Sequence, residues 1–388
     1  MTVHKNTATW LILASATLTV MAGAIIAPVL ALMGDGLGVD SGAARVLITT
    51  HSIFIAVCSP LYGILIDKIG PKRPLAFGLI LYGIAGGSGL FINNYWLLFA
   101  SRALLGIGAA AIFTTLTILI FNLYHQGEER NRVMGWRSSS QSVGGIIWPL
   151  LGGFLGTFSW HFPFAVYLLG IPLGVLTLLF VPRTRSELTA DTLTEGKSVL
   201  MIFRETPMLF GIYFLGFMTS IFLYGIVVFL PEVLKEFNIT NSFYIGMYIS
   251  GMSFVAAISA FSYGKIKAKF SFKSIVLTTL VLWAIGFSIL SKAPDGLLVG
   301  VSVAFFGAGQ GMMMPTIQLW SGELVPGSFR GRITSYLGSF GLGGQFLSPI
   351  ILSPLASSLG LSAVFLGISG TAAVVFLTFL ILIRKQRA

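Results

Sequence analysis

The feature that constrains this chain most is a regular succession of long apolar runs separated by short polar turns. The runs fall at 8–33, 43–66, 74–92, 96–122, 133–157 and 162–182, then at 206–231, 243–264, 273–291, 296–320, 332–355 and 362–383. An α-helix needs about 20 apolar residues to cross the hydrocarbon core of a bilayer. The pattern therefore predicts an all-α integral membrane protein of twelve transmembrane helices. A β-barrel would instead show alternating segments of about ten residues, which these unbroken runs are not. Composition closes the soluble alternative: 10% of the residues are charged, against about 25% in a soluble globular domain.

The net charge of +11 could suggest nucleic acid, but the bases sit in the short turns between apolar runs, as membrane orientation requires. With the amino terminus inside, the cytoplasmic turns and tails hold 20 of the 24 Lys and Arg, Arg137 among them. The outer side holds Arg45, Lys235 and Lys292, and Arg102 belongs to neither side. The bias predicts both termini in the cytoplasm. The single cysteine, Cys58, excludes an internal disulfide and a CxxC metal site. The first run shows no cleavage site and reads as a retained helix rather than a signal peptide.

A polar stretch divides the runs six and six. The predicted organisation is an N-terminal six-helix bundle at 1–182, a cytoplasmic linker at 183–205 and a C-terminal bundle at 206–388. The halves echo each other. Arg130-x-Arg132 precedes Gly144 and Pro149, and Arg330-x-Arg332 precedes Gly344 and Pro349 at the same offsets; Gly106-x-Gly108 likewise matches Gly307-x-Gly309. Such internal repeats are common in secondary transporters, and here they predict two pseudo-symmetric bundles.

Three segments carry the chemistry. The turn after the second run reads Gly63-Ile-Leu-Ile-Asp67-Lys68-Ile-Gly70-Pro71-Lys72-Arg73. It is either an ordinary positive turn or a gate latch in which Asp67 pairs with a base or a helix amino terminus. The fourth run contains Leu98-x3-Arg102-x3-Gly106-x-Gly108. A charge inside the membrane costs from about 2.5 kcal/mol to far more, so Arg102 either snorkels outward or has a functional reason to stay. The fifth run reads Gly135-x8-Gly144-x3-Trp148-Pro149-x2-Gly152-Gly153, where glycines allow close helix approach and the proline a kink. In the first run, Ala27-Pro28-Val29 reads as a kink.

The first segment resembles the signature loop of the major facilitator superfamily, G-x-L-x-D-R-x-G-R-K, with Pro71 in place of a base. In that family the acid, here Asp67, stabilises the outward-facing state by bridging to the second half. The fifth run is similar to the G-x8-G-x3-G-P-x2-G-G signature of its proton-coupled exporters, with Trp148 in place of a glycine. An arginine placed as Arg102 is associated with proton transfer in the drug-exporter branches. Because Arg stays protonated, it would act by tuning a neighbouring acid or attracting an anion.

The resemblance implies a secondary transporter that exports small organic compounds by proton antiport. It would be a monomer in the cell membrane, with lipid and substrate as partners, H+ as coupling ion, and neither cofactor nor metal. The alternative is an importer or exchanger of a small anionic metabolite. The expected absence of an acid near the midplane of any run weighs against proton antiport. Asp35 and Glu232, at the outer ends of the first and seventh runs, are the best remaining carboxylates. His51 could titrate near neutral pH, and Arg45 lies above it on nearly the same face, so an outer anion site is also conceivable. In this family the first, fourth, seventh and tenth helices line the cavity, which makes Thr114, Thr115, Tyr213, Tyr224, Gln310, Met314 and Gln318 candidate lining residues. The scarcity of buried acid favours neutral, amphipathic or anionic substrates over dicationic ones. No nucleophile–base pair, metal cluster or phosphate loop points to an enzyme.

Overall fold

The computed structural model describes residues 2–124, 127–182, 199–326 and 329–385, and among them it is helical almost throughout. The helices are α1 (Thr2–Ala24), α2 (Leu30–Leu37), α3 (Ser41–Ile69), α4 (Lys72–Gly87), α5 (Tyr95–Leu123), α6 (Glu128–Gly156) and α7 (Gly170–Phe180), followed by α8 (Val199–Glu205), α9 (Met208–Glu236), α10 (Ser242–Lys269), α11 (Phe272–Ser291), α12 (Gly296–Glu323), α13 (Arg330–Leu359) and α14 (Leu361–Lys385). The expected kink at Pro28 is a 3-10 turn, Ala27–Val29, between α1 and α2. A longer 3-10 segment, Phe162–Leu169, leads into α7.

Helix starts follow from local chemistry. Asp40, Asn94 and Asp295 stand just before α3, α5 and α12, and each accepts the backbone N–H three residues on, at 3.0, 3.1 and 2.9 Å. Such caps satisfy donors that the first turn leaves orphaned. Two of the acids outside the apolar runs, Asp40 and Asp295, therefore have a structural use.

Among the described residues, ten helical segments are long and apolar enough to cross a membrane. The predicted spans at 74–92 and 133–157 are not among them. The first became α4, a helix of 16 residues. The second became α6, whose opening half is polar, from Glu128 and Glu129 through Arg137 to Ser142.

The chain divides into two compact units, Met1–Gly196 and Lys197–Ala388. The expected linker, 183–205, lies outside the described residues as far as 198; its last seven residues form α8. In the first unit α3 and α4 pack on α5, α4 packs on α7, and α1 packs on α6. In the second, α10 and α11 pack on α12, α11 packs on α14, and α9 packs on α13. Matched glycines make these approaches possible. A Cβ on Gly106 of α5 would lie 2.5 Å from the His51 carbonyl of α3, and one on Gly307 of α12 would lie 2.4 Å from the Met252 carbonyl of α10. The backbones touch where a side chain would hold them apart, as membrane helix packing requires. Large apolar side chains such as Phe261, Phe91 and Leu297 stand on the outside, where lipid replaces water.

Candidate functional site

The most unusual local environment in the first unit surrounds Arg102. It lies in the second turn of α5 and is fully buried, so it does not snorkel. Its guanidinium donates to the Tyr167 hydroxyl at 3.1 Å and to the Gly86 carbonyl at 3.4 Å. The Phe164 and Tyr167 rings stand 5.0 and 4.8 Å from its Cζ. Gly86 is in the last turn of α4, where carbonyls lack helical partners and the helix dipole favours a cation. Next to it, Ser101 donates to the Ala85 carbonyl at 2.7 Å. The Gly86 carbonyl, the Tyr167 hydroxyl and two aromatic faces thus meet part of the charge that a carboxylate would otherwise balance, while Nε is buried without a partner.

Tyr167 extends this centre to α1. It donates to the Ala22 carbonyl at 2.8 Å, and Ala22 lies in the last turn of α1, before the 3-10 break. Tyr82 donates to the Leu18 carbonyl at 2.8 Å and meets Tyr167 edge-on at 5.5 Å. One buried polar cluster therefore joins α1, α4, α5 and the 3-10 segment before α7.

His51 belongs to the neighbourhood: its carbonyl faces Gly106, one turn along α5 from Arg102, and the two side chains interact electrostatically. Its Nδ1 lies 2.7 Å from the Ile48 carbonyl. A carbonyl can only accept, so Nδ1 carries the hydrogen and Nε2 is the proton-accepting nitrogen. Arg45 is buried in the same helix. Asp35 is exposed on α2 and is not among the groups that hold Arg102. Glu232 lies in α9, in the other unit.

The glycine-rich α6 runs along α1. A Cβ on Gly152 would overlap the Ile25 carbonyl at 1.8 Å, and one on Gly144 would come to 3.1 Å from the Thr17 carbonyl. Trp148, the departure from the exporter pattern, donates its indole N–H to that Thr17 carbonyl at 2.9 Å. Its neighbour one stripe earlier, Gln141, donates to Thr19 Oγ1 at 3.0 Å. Pro149 and Gly153 are buried, whereas Gly135 has open space around it.

The signature segment is more helical than its description as a loop suggests. Gly63 and Asp67 lie inside α3, and the turn proper is Gly70–Pro71, followed at once by Lys72 and Arg73 of α4. Gly70 has φ 77°, a conformation that costs glycine least. Asp67 is exposed.

The expected cavity residues have mixed surroundings. Thr114, Thr115 and Gln310 each keep a buried side-chain oxygen without a hydrogen-bond partner. Tyr213 instead donates to the Ile333 carbonyl at 2.6 Å, tying α9 to α13. Met314 and Gln318 are exposed on α12, and Tyr224 is half-buried on α9.

A family model described as Major Facilitator Superfamily matches residues 12–240 and 212–388, which together span nearly the whole chain. The chain belongs to this superfamily. Among superfamily relatives, the bacillibactin exporter of Bacillus subtilis is 27% identical over 354 residues, covering 87% of each chain. The multi-drug resistance efflux pump PmrA of Streptococcus pneumoniae is 24% identical over 356 residues, covering 88% of this chain and 87% of the pump. The structure of the nucleoside transporter NupG superposes with a TM-score of 0.79 over 97% of this chain and 98% of NupG, at 14% identity. The protein is thus a multi-pass membrane transporter of the superfamily with exporters among its relatives.

Sequence reasoning singled out Arg102 in this superfamily member but missed the groups that hold it. Tyr167 and Phe164 sit in the run Phe162-Pro-Phe-Ala-Val-Tyr167. The available signal was a buried cation with no acid in any apolar run, which makes hydroxyl and aromatic partners the chemical remainder. Arg137, which the charge count places on the cytoplasmic side, is buried in the third turn of α6 and donates to Thr117 Oγ1 at 2.7 Å. It is one charge among several in the sequence, and its packing against α5 is not legible from spacing.

Proposed function

We propose that this superfamily member is an exporter of small organic compounds driven by proton antiport, working by alternating access of two pseudo-symmetric six-helix bundles. In this reading α4 and α6 also span, giving twelve helices with both termini in the cytoplasm of a monomer in the cell membrane. The observation that carries the reading is the α1–α6 seam. Its glycine spacing is the exporter pattern, and Gly144 and Gly152 bring the two backbones together, a contact suited to sliding without side-chain interlock. The exporters among the relatives support the direction. The matched helix pairs and glycines of the two units support the repeat. Asp67, exposed at the end of α3, serves as the gate latch.

Three groups are available to carry the proton: His51 through Nε2, Asp35 and Glu232. The enclosed Arg102 acts on the fold around His51 rather than as a carrier, since its guanidinium stays charged.

The test is transport in proteoliposomes with an imposed pH gradient, using tetracycline and chloramphenicol as probes and a trapped pH dye. The expected result is uphill movement of a probe matched by proton counterflow. Probe movement that ignores the gradient would overturn proton antiport. Among Asp35→Asn, Glu232→Gln and His51→Gln, the carrier is the variant that exchanges probe without moving protons.

A further inference from the structure

Arg137 differs from Arg102 in how its charge is met. It is 9% exposed and lies nine residues into α6, inside the bundle and away from the turn. Its one hydrogen bond among the described residues is NH1 to Thr117 Oγ1. Its Nε is buried without a partner, as is that of Arg102, but Arg102 has two hydrogen bonds where Arg137 has one, and no carboxylate among the described residues forms an ion pair with Arg137. On the same helix Arg132 pairs with Glu128 at 3.7 Å, both exposed. A guanidinium presents five donors in a planar fork. Here most of that fork is unspent, in a place where an uncompensated charge is expensive.

The surroundings on α5 are chemically coherent. Phe113 and Thr117 are four residues apart and Thr114 and Thr117 three apart, spacings that bring each of these pairs to a shared face. Thr114 Oγ1 is buried and has no partner. The Phe113 ring lies 6.0 Å from the Arg137 Cζ and stays 38% exposed. One turn after Thr117 on α5, Phe121 carries Arg130 at 5.0 Å, two turns before Arg137 on α6. The α5–α6 seam therefore holds two arginines in file, the inner one buried beside a hydroxyl and an open aromatic face.

We propose that Arg137, with the hydroxyls of Thr114 and Thr117, binds the carboxylate of an amphipathic substrate whose apolar body lies against Phe113. The guanidinium fork matches a carboxylate in two-point geometry, and the threonines supply donors to its remaining lone pairs. Arg130 forms the mouth of this positive seam. The inference rests on the exporter reading for calling the ligand a substrate, and it narrows that reading to organic acids.

The test is equilibrium binding to the purified full-length protein in an uncharged detergent. The probes are 2-naphthoate and its neutral counterpart 2-naphthamide. The wild type is expected to prefer the acid by about tenfold, the worth of one charge-assisted pair. Arg137→Gln is expected to abolish the preference, weakening 2-naphthoate binding far more than 2-naphthamide binding. Arg137→Lys keeps the charge without the fork, and is expected to retain part of the preference; it also serves if Arg137→Gln fails to fold. No preference in the wild type, or a preference that survives both variants, overturns the proposal. So does binding of phosphatidylglycerol that depends on Arg137 where 2-naphthoate does not bind, which would make the seam a lipid headgroup site. Binding needs no transport cycle, so a protein that shows the preference but moves no probe in proteoliposomes overturns only the exporter reading.

Discussion

The indole N–H of Trp148 donates to the carbonyl of Thr17 at 2.9 Å, joining α6 to α1 at the position where the exporter pattern has a glycine. The bulk of the tryptophan is accommodated because Gly144, one turn earlier, has no side chain: a Cβ there would come to 3.0 Å from the indole nitrogen. The seam is therefore glycine-packed at Gly144 and Gly152 and hydrogen-bonded between them.

Trp148→Phe keeps an aromatic ring and removes the donor. It is expected to cost about 1 kcal/mol, the net worth of an ordinary hydrogen bond. Thermal unfolding in detergent should show a lower Tm, while Gly144→Leu, which forces the indole out of place, should lower it further.

Gly106 and Gly63 separate packing from motion. A side chain on Gly106 meets the backbone of His51 and Cβ of Phe54 at 2.5 and 2.8 Å, whereas Gly63 has nothing within 4 Å. Gly106→Ala is expected to destabilise by about 1–3 kcal/mol, as overpacking does. Gly63→Ala should fold as well as the wild type or better by about 0.5–1 kcal/mol. Size-exclusion profiles and Tm check both. Transport lost in a well-folded Gly63→Ala would place its role in movement.

Tyr167→Phe removes a hydroxyl that accepts from Arg102 and donates to Ala22. The ring contact survives, but a buried cation loses one of its two hydrogen bonds. Bonds to charged groups are worth about 1.5–3 kcal/mol, so the Tm should fall more than for Trp148→Phe. Tyr82→Phe, which loses the bond to Leu18, should have the smaller effect of a neutral pair.

His161, in the turn before α7, gives a pH test. Partial burial pushes its imidazole below the ordinary histidine value, and Nε2 lies 2.9 Å from Asn93 Oδ1. A depressed folded-state value means that its stabilisation is present above the unfolded value and lost as pH falls through the folded one. The wild-type Tm should therefore drop on acidification below about pH 6.5. His161→Gln should drop less over the same range.

Much of the fold could be read from the chain because lipid imposes a simple rule: spans must be long, apolar and helical. The run at 96–122 and helix α5 at Tyr95–Leu123 nearly coincide. The rule weakens where protein replaces lipid, as around the short and largely buried α4; in the polar opening of α6 only Val133 and Arg137 are buried. The glycine spacings were legible as packing features, and Gly106, Gly144 and Gly152 do meet backbone. What was not legible were contacts across distant sequence. Nothing near Arg102 in the chain announces Tyr167, 65 residues away, and nothing in the charge pattern distinguishes Arg137 from Arg132.

The polar opening of α6 has a consequence for how this protein is made. A segment with Arg130, Arg132, Arg137 and serines at 138, 139, 140 and 142 would not leave the translocon for lipid by its own hydrophobicity. Its packing partner α1 and α5, which supplies Thr117 to Arg137, are both synthesised before it. In the twelve-span reading proposed above, the helix enters the bilayer against α1 and α5 already waiting there. Insertion and tertiary folding are then one event, and a weakened α1–α6 seam would show first as misplaced topology in newly made chains.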